Sequence, residues 1–213
     1  MTRRFTKINA ALAALVTELI VLGIAAIMAS DRVMFWQYAA RYSARVSFVV
    51  FASVLFYMAI FGLLTISNNE NKRKIFEWLL YFFVTNHIIH LILLTFNQAV
   101  HNKMLLKQGN IPGMIAYGIV LLLPLLLNRG LLTKRKRTLM VASLLLVSAF
   151  FIQVYVLRLI GSSLPPDSSA TWVYLLFVSV LSLLVVANLY RYIMDARGSS
   201  RQTIGEFNKA LKC

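Results

Sequence analysis

Residues 75–97 of this chain read IFEWLLYFFVTNHIIHLILLTFN, and this stretch decides the fold. It is almost wholly apolar. At about 1.5 Å per residue, a helix of this length crosses the roughly 30 Å hydrocarbon core of a bilayer. It lacks the alternation of barrel strands, and in hydrocarbon a helix satisfies its own backbone groups. The stretch therefore predicts a membrane-spanning helix, which we place at residues 75–98.

The composition of the whole chain supports a membrane protein. Of the 213 residues 60% are hydrophobic and only 14% are charged, and the mean hydropathy is +0.75. A soluble domain carries about a quarter charged residues, and it has no core large enough to hide so many apolar ones. We therefore predict an integral membrane protein.

Five further apolar runs accompany the first, and together they predict six spans. We place them near residues 8–30, 46–67, 75–98, 111–128, 138–160 and 171–194. The first run follows basic residues, as in a signal peptide. Its apolar part is too long for one and contains Glu18, so we expect it to be retained. The fold class is an all-α polytopic bundle, a single domain over residues 1–194 with a basic tail at 195–213.

The basic residues predict the orientation of this bundle. The net charge is +15, and most of the 22 lysines and arginines lie between the apolar runs. With a cytoplasmic N-terminus, sixteen of these 22 fall in cytoplasmic segments and six in outer ones. This bias follows the positive-inside rule and predicts that both termini are cytoplasmic. We interpret the charge as a topology signal and as contacts for anionic lipid headgroups, and not as nucleic-acid binding.

Two segments and one residue outside the spans have a character of their own. Residues 30–45, SDRVMFWQYAARYSAR, predict an outer loop, either with a short interfacial helix or with a plain aromatic belt. The tail predicts a short helix or disorder. The lone cysteine, Cys213, forms no internal disulfide, which excludes thiol–disulfide membrane enzymes.

Polar side chains inside the spans are the candidate functional residues, because they are costly in hydrocarbon. We predict a buried polar cluster of Glu18, Asn86, His87, His90 and Gln153. Glu18 is expected at mid-depth, where it could meet His87 and share a proton with it. Spacings of four, seven and four place Asn86, His90, Asn97 and His101 on one helix face, which we expect to be directed into the bundle.

Four kinds of chemistry suit such a cluster. A metal site needs three or four ligands, and two histidines with Glu18 could supply three. A proton relay is sensible because histidine titrates near neutrality. A b-type haem needs one or two axial histidines. Hydrogen bonds that hold the helices together are the simplest alternative.

Three stretches resemble the ferric reductase-like transmembrane domain, a six-helix haem-binding family. The basic NKRK leads into the stretch at 75–97, IPGMIAYGIVLLLPLLLN resembles the fourth helix of the family, and NRGLLTKRKR resembles its loop into the fifth. The resemblance covers about residues 70–160. It implies haem between histidines of the third and fifth helices, with His87 and His90 as the ligands of the third.

The chain departs from this family in the fifth span, 138–160, which has no histidine. Matching the helix ends places Gln153 near the outer ligand position and Met140 near the inner one. Glutamine is a poor iron ligand, and paired histidine ligation within one chain is therefore not expected.

Three functions follow as hypotheses. The first is a non-catalytic protein of a bacterial inner membrane, an accessory or ligand-binding component of a membrane complex with a protein partner or a second copy. The second is a membrane electron-transfer protein with haem b on His87 or His90. The third is a small transporter that uses Glu18 and the third span as its pathway; the chain shows no internal repeat typical of transporters.

Overall fold

The computed structural model describes residues 3–101, 111–127, 133–160 and 171–210. These ranges are almost entirely helical, so the prediction of an all-α chain is confirmed. The helices are α1 (Arg3–Met28), α2 (Arg32–Phe61), α3 (Leu63–Asn68), α4 (Glu70–Val100), α5 (Ile111–Leu127), α6 (Lys134–Ile160) and α7 (Thr171–Ala210).

Five of these helices are long and apolar enough to cross a membrane. They are Phe5–Met28 of α1, all of α2, α4 and α6, and Thr171–Ala196 of α7. The apolar part of α5, Gly113–Leu127, is shorter, and all 17 residues of α5 reach about 26 Å. Helices of membrane-spanning length and composition are thus confirmed, whereas the sixth span and the cytoplasmic termini stay predictions.

The segment at residues 30–45 corrects our prediction of an outer loop, because it is the first half of α2. The Asp31 side chain caps the helix by accepting a hydrogen bond from the Met34 N–H at 2.8 Å. Ala39, Ala40 and Ser43 are buried. Arginines and aromatic residues on the other side of the helix hid the spacing of this small-residue face, which packs toward α1 and α4.

Helix α2 ends at Phe61, six residues before the predicted end of the span at residue 67. Gly62 breaks the helix with φ of 71°, a conformation that glycine adopts without the steric cost of a side chain. A Cβ at this position would lie 2.6 Å from Nε of Arg191. The short helix α3 follows, and the Asn69 side chain caps α4 by accepting from the Lys72 N–H at 3.0 Å.

The tail also differs from the predicted division at residue 195, because α7 continues without a break to Ala210. Residues 211–213, and with them Cys213, lie outside the described ranges. So do the predicted connections at residues 102–110, 128–132 and 161–170.

The bundle is a ring of five helices with α1 packed outside it. Helices α2, α4, α5, α6 and α7 follow one another around the ring, and α7 closes it against α2. Helix α1 lies in the groove between α2 and α4. The face that α1 turns to this groove is mostly small, as expected where membrane helices approach closely; its buried residues are Thr6, Ala10, Ala14, Glu18, Val21 and Ala25.

Aromatic rings fill the interior of the ring of helices. Phe51 of α2 stacks on Phe151 of α6 at 5.2 Å and contacts Phe83 of α4 at 4.9 Å between ring centroids. Phe48 stacks on Phe177 of α7 at 4.0 Å. The contact between Phe51 and Phe151 joins α2 and α6, which are not neighbours in the ring of helices. The interior is therefore filled by side chains, and the polar residues are arranged around it.

Candidate functional site: a polar cluster between three helices

Four polar side chains join α1, α2 and α4 near the middle of each helix. We call them the Glu18 cluster: Glu18, Ser43, Ser47 and Asn86. The Ser43 hydroxyl donates to Oε1 of Glu18 at 2.8 Å, and the Asn86 amide donates to the same oxygen. The Ser47 hydroxyl donates to Oδ1 of Asn86 at 2.7 Å. The cluster therefore ties α1 to two helices of the ring.

The local sequence explains why these groups meet. Ser43 and Ser47 are four residues apart and share one face of α2, and the antiparallel register of α2 and α4 places Ser47 beside Asn86. The small residues of α1 bring its backbone close enough for Glu18 to reach both helices. All four side chains are buried, and Glu18 is only 2% exposed.

Only one of the two carboxyl oxygens of Glu18 has hydrogen-bond partners among the described residues. Oε1 accepts both hydrogen bonds, whereas Oε2 is buried and has no hydrogen-bond partner among the residues that the structure describes. A buried polar atom without a partner is uncommon and calls for an explanation, such as water or an ion.

His87 of α4 points away from this cluster and into the aromatic interior. His87 is 7% exposed. Its ring stacks on Tyr117 of α5 with 4.4 Å between centroids and lies 5.7 Å from Phe151 of α6. The centroid of the His90 ring lies 5.8 Å from that of the His87 ring. The Nδ1 atoms of both histidines are buried and, within the described ranges, have no hydrogen-bond partner.

The predicted cluster is therefore divided by the structure. Glu18 and Asn86 are brought together, but the predicted contact between Glu18 and His87 is wrong, because Asn86 occupies that position. Residues 86 and 87 are about 100° apart around a helix. This rotation turns Asn86 toward α1 and α2 and His87 toward α5 and α6.

Of the two candidate residues of α6, Gln153 does not face the histidines, which corrects its prediction. The side chain of Gln153 is exposed on the surface of the bundle and is not part of a buried cluster. Phe151 and Tyr155, four residues apart, take the interior face of α6, and Gln153 lies between them on the other side. Met140 is 0% exposed and packs in the apolar core.

These surroundings do not fit a haem between α4 and α6. A haem needs open space beside the ligating nitrogen and a second group opposite or an open position. Tyr117 covers one face of the His87 ring, and Phe83 and Phe151 pack beside it at 5.2 and 5.7 Å. Where the resemblance implied a second ligand, α6 presents the aromatic rings of Phe151 and Tyr155.

Ligation of a metal ion by Glu18 together with the two histidines, as predicted from the sequence, receives no support from the arrangement. Over the part of the chain that the structure describes, no three His, Cys, Asp or Glu side chains are grouped to hold a metal ion. The three candidate ligands are split, with Glu18 on one side of α4 and the two histidines on another.

Some members of the site were missed from sequence. Ser43 and Ser47 fell in or next to a presumed loop, although Ala39, Ala40, Ser43 and Ser47 follow helical spacing. Tyr117 carried no signal, because its partner is set by how α5 packs.

A second group of polar contacts lies at the end of the bundle where α2 stops. Asn188 of α7 donates to the Leu55 carbonyl at 3.0 Å, and Nη2 of Arg191 donates to the Phe61 carbonyl at 3.2 Å. Arg191 also pairs with Asp195 at 3.5 Å. The Arg191 contact satisfies a carbonyl at the broken end of α2 and so caps the helix, whereas the Asn188 contact joins α7 to a carbonyl within α2.

Comparison of the chain with protein families, curated proteins and solved structures finds no match. The resemblance to the ferric reductase-like domain is therefore unsupported beyond the residues that suggested it, and function has to be argued from the site itself.

Proposed function

We propose that this chain is a non-catalytic, multi-pass protein of a bacterial inner membrane that acts as an accessory or ligand-binding component of a membrane complex. The observation that carries the proposal is the Glu18 cluster. Its hydrogen bonds run between helices, from Ser43 and Asn86 to Glu18, and they hold α1 against the ring.

The aromatic interior supports the non-catalytic part of the proposal. Reaction sites need a concave space with convergent polar groups. Here Asn86 and His87 of α4 lie on two different faces, and rings from α4, α5 and α6 pack against His87. In the part of the chain that the structure describes, two grooves on the surface of the bundle, of about 370 and 280 Å³, are lined by neither the histidines nor the Glu18 cluster.

For the topology we propose six spans with both termini cytoplasmic. The contacts of the basic segments support it, because they gather at one end of the bundle. There Tyr57 donates to the Lys72 carbonyl at 3.2 Å, and Thr138 and Tyr192 share a hydrogen bond of 2.8 Å. This basic end would face the cytoplasm and its anionic lipid headgroups.

The visible spectrum of the detergent-purified protein tests the proposal against a haem protein. We expect no Soret band after expression with a haem precursor supplied, because Tyr117 and Phe151 occupy the space beside His87. A Soret band with the reduced α-band of b-type haem, lost in His87→Ala or His90→Ala, would overturn the proposal. Ile88→Ala, on the exposed side of the same helix, is the matched control.

A further inference from the structure

The unequal surroundings of the two carboxyl oxygens of Glu18 point to a ligand. Oε1 receives two hydrogen bonds, and Oε2 lies buried without a partner in the described part of the chain. The donors, a serine hydroxyl and an amide, are both neutral. A charged carboxylate at mid-depth needs a compensating charge, since an isolated one is costly in hydrocarbon.

The charged side chains of the three surrounding helices are directed elsewhere. On α1, Lys7 lies over the Tyr81 ring at 4.8 Å, far along the helix from Glu18. On α2, Arg41 and Arg45 lie over Tyr38 and Tyr42, on the side opposite Ser43. On α4, His87 faces Tyr117 of α5 and Phe151 of α6, and the His90 ring lies beside the His87 ring. The ion pairs of α4, formed by Glu70, Arg73, Lys74 and Glu77, lie in its first turns.

We propose that the Glu18 cluster binds one Na⁺ ion. This names a ligand for the ligand-binding component, and it rests on the membrane placement proposed above. Candidate ligand atoms are both carboxyl oxygens of Glu18, the Ser43 hydroxyl and the Asn86 amide oxygen. Hard cations take oxygen ligands of this kind. One carboxylate balances one positive charge, which favours a monovalent ion over Ca²⁺ or Mg²⁺.

Asn86 and Ser47 can keep their hydrogen bonds satisfied both when the site is empty and when it holds Na⁺. Without an ion the Asn86 NH₂ group donates to Glu18, and its Oδ1 accepts from Ser47. Rotating the amide by half a turn directs Oδ1 at the ion and NH₂ at Ser47. A serine hydroxyl accepts as well as donates, so Ser47 satisfies the amide in either orientation. The empty site carries a proton on Glu18, and Na⁺ and the proton compete for the same carboxyl.

Reaction with dicyclohexylcarbodiimide, which modifies protonated carboxyls in apolar surroundings, tests the proposal in the full-length protein. The protein is exchanged into Na⁺-free buffer with K⁺ or choline, and the modified residue is located by mass spectrometry. We expect Glu18 to react and NaCl to protect it, whereas equal KCl does not. At a Na⁺ concentration about ten times the dissociation constant, the labelling rate falls about tenfold, because roughly a tenth of the sites stay empty.

Variants assign the protection to the cluster. Glu18→Gln should abolish the adduct, while Glu77→Gln, at a buried carboxyl near the start of α4, should leave labelling and protection unchanged. Ser43→Ala and Asn86→Leu should keep the labelling and lose most of the protection. If either fails to fold, the response of the wild-type protein to Na⁺ still decides.

Two outcomes overturn the proposal. One is labelling of Glu18 that NaCl and KCl affect equally, which would leave a proton-bearing carboxyl with a purely structural role. The other is no labelling of Glu18 in Na⁺-free buffer, because an empty site would be protonated and reactive. Both outcomes leave the accessory function intact, since that proposal stands or falls on the visible spectrum.

Discussion

At the scale of single residues, the carboxyl of Glu18 matters because two other helices direct donors at it. Removing it leaves the Ser43 hydroxyl and the Asn86 amide in the interior without their acceptor. Hydrogen bonds between membrane helices average about 0.6 kcal/mol. A buried donor left unsatisfied costs more, about 1–3 kcal/mol.

We therefore expect Glu18→Leu to lower the free energy of unfolding in detergent by about 1–3 kcal/mol. Glu18→Gln should lose less, because the glutamine oxygen still accepts both hydrogen bonds. Unfolding by a denaturing detergent measures the difference. Ser53→Ala is the control, since the Ser53 hydroxyl donates only to the Val49 carbonyl of its own helix. A leucine variant as stable as the glutamine variant would contradict this ordering.

The residues of the site were predictable in part. Glu18 and Asn86 were identified because a carboxyl and an amide at mid-depth need partners. Which partners they take depends on helix rotation, and a shift of one residue on α4 changes the neighbour from α1 to α5. Gln153 was assigned by matching helix ends to another family, a procedure that carries no information on which way a side chain faces.

At the scale of elements, the break at Gly62 shows how contacts from α7 determine where α2 ends. Arg191 of α7 reaches the Phe61 carbonyl, and the pair that it forms with Asp195 lies against Gly62. A side chain at this position would meet both an unfavourable φ and occupied space. The apolar run continues through the break, which is why the sequence predicted one uninterrupted span to residue 67.

We expect Gly62→Ala to destabilise the protein by about 1–3 kcal/mol, because alanine is strained at this φ and its Cβ would displace Arg191. Gly118→Ala, in α5, is the matched control: nothing lies within 4 Å of the added Cβ, and no loss is expected. Thermal unfolding in detergent compares the two. Equal losses would show that the close approach at Gly62 has no energetic weight.

Element boundaries were predicted least well where polar and apolar residues mix on one helix. Residues 30–45 contain arginines and aromatic rings, which indicated an interface. Their burial comes from α1, which directly precedes them, and from α4, which begins only at Glu70. The centres of the runs predicted at 8–30, 75–98, 138–160 and 171–194 lie close to those of the observed helices, whereas the run predicted at 46–67 was placed too far along the chain, because α2 begins at Arg32.

At the scale of the whole molecule, the open question is whether α5 crosses the membrane. Its neighbours α4 and α6 both run the full length of the ring, and α5 packs against each of them. With six crossings the basic end lies entirely on one side. With five, the segment after α5 and the end of α7 would lie opposite the N-terminus.

Reporter fusions test this topology. A reporter active only in the cytoplasm should be active when fused after Ala210 or within residues 129–132, and inactive when fused within residues 102–110. Inactivity at all three sites, in a protein whose N-terminus is cytoplasmic, would show that α5 does not cross the membrane and would refute six spans. An epitope at the N-terminus, probed in intact and permeabilised cells, provides the control for orientation.

The position of α1 outside the ring has a consequence for biosynthesis. Glu18 is made first, and Asn86 follows 68 residues later. At about 5–20 residues per second, the ribosome needs roughly 3 to 14 s to supply that partner. Ser43 arrives sooner, being 25 residues away. During this interval a helix with an acidic residue at its centre has to wait in the insertion machinery or beside α2. Although α1 is the first helix to enter the membrane, it therefore completes its packing only when α4 has been made.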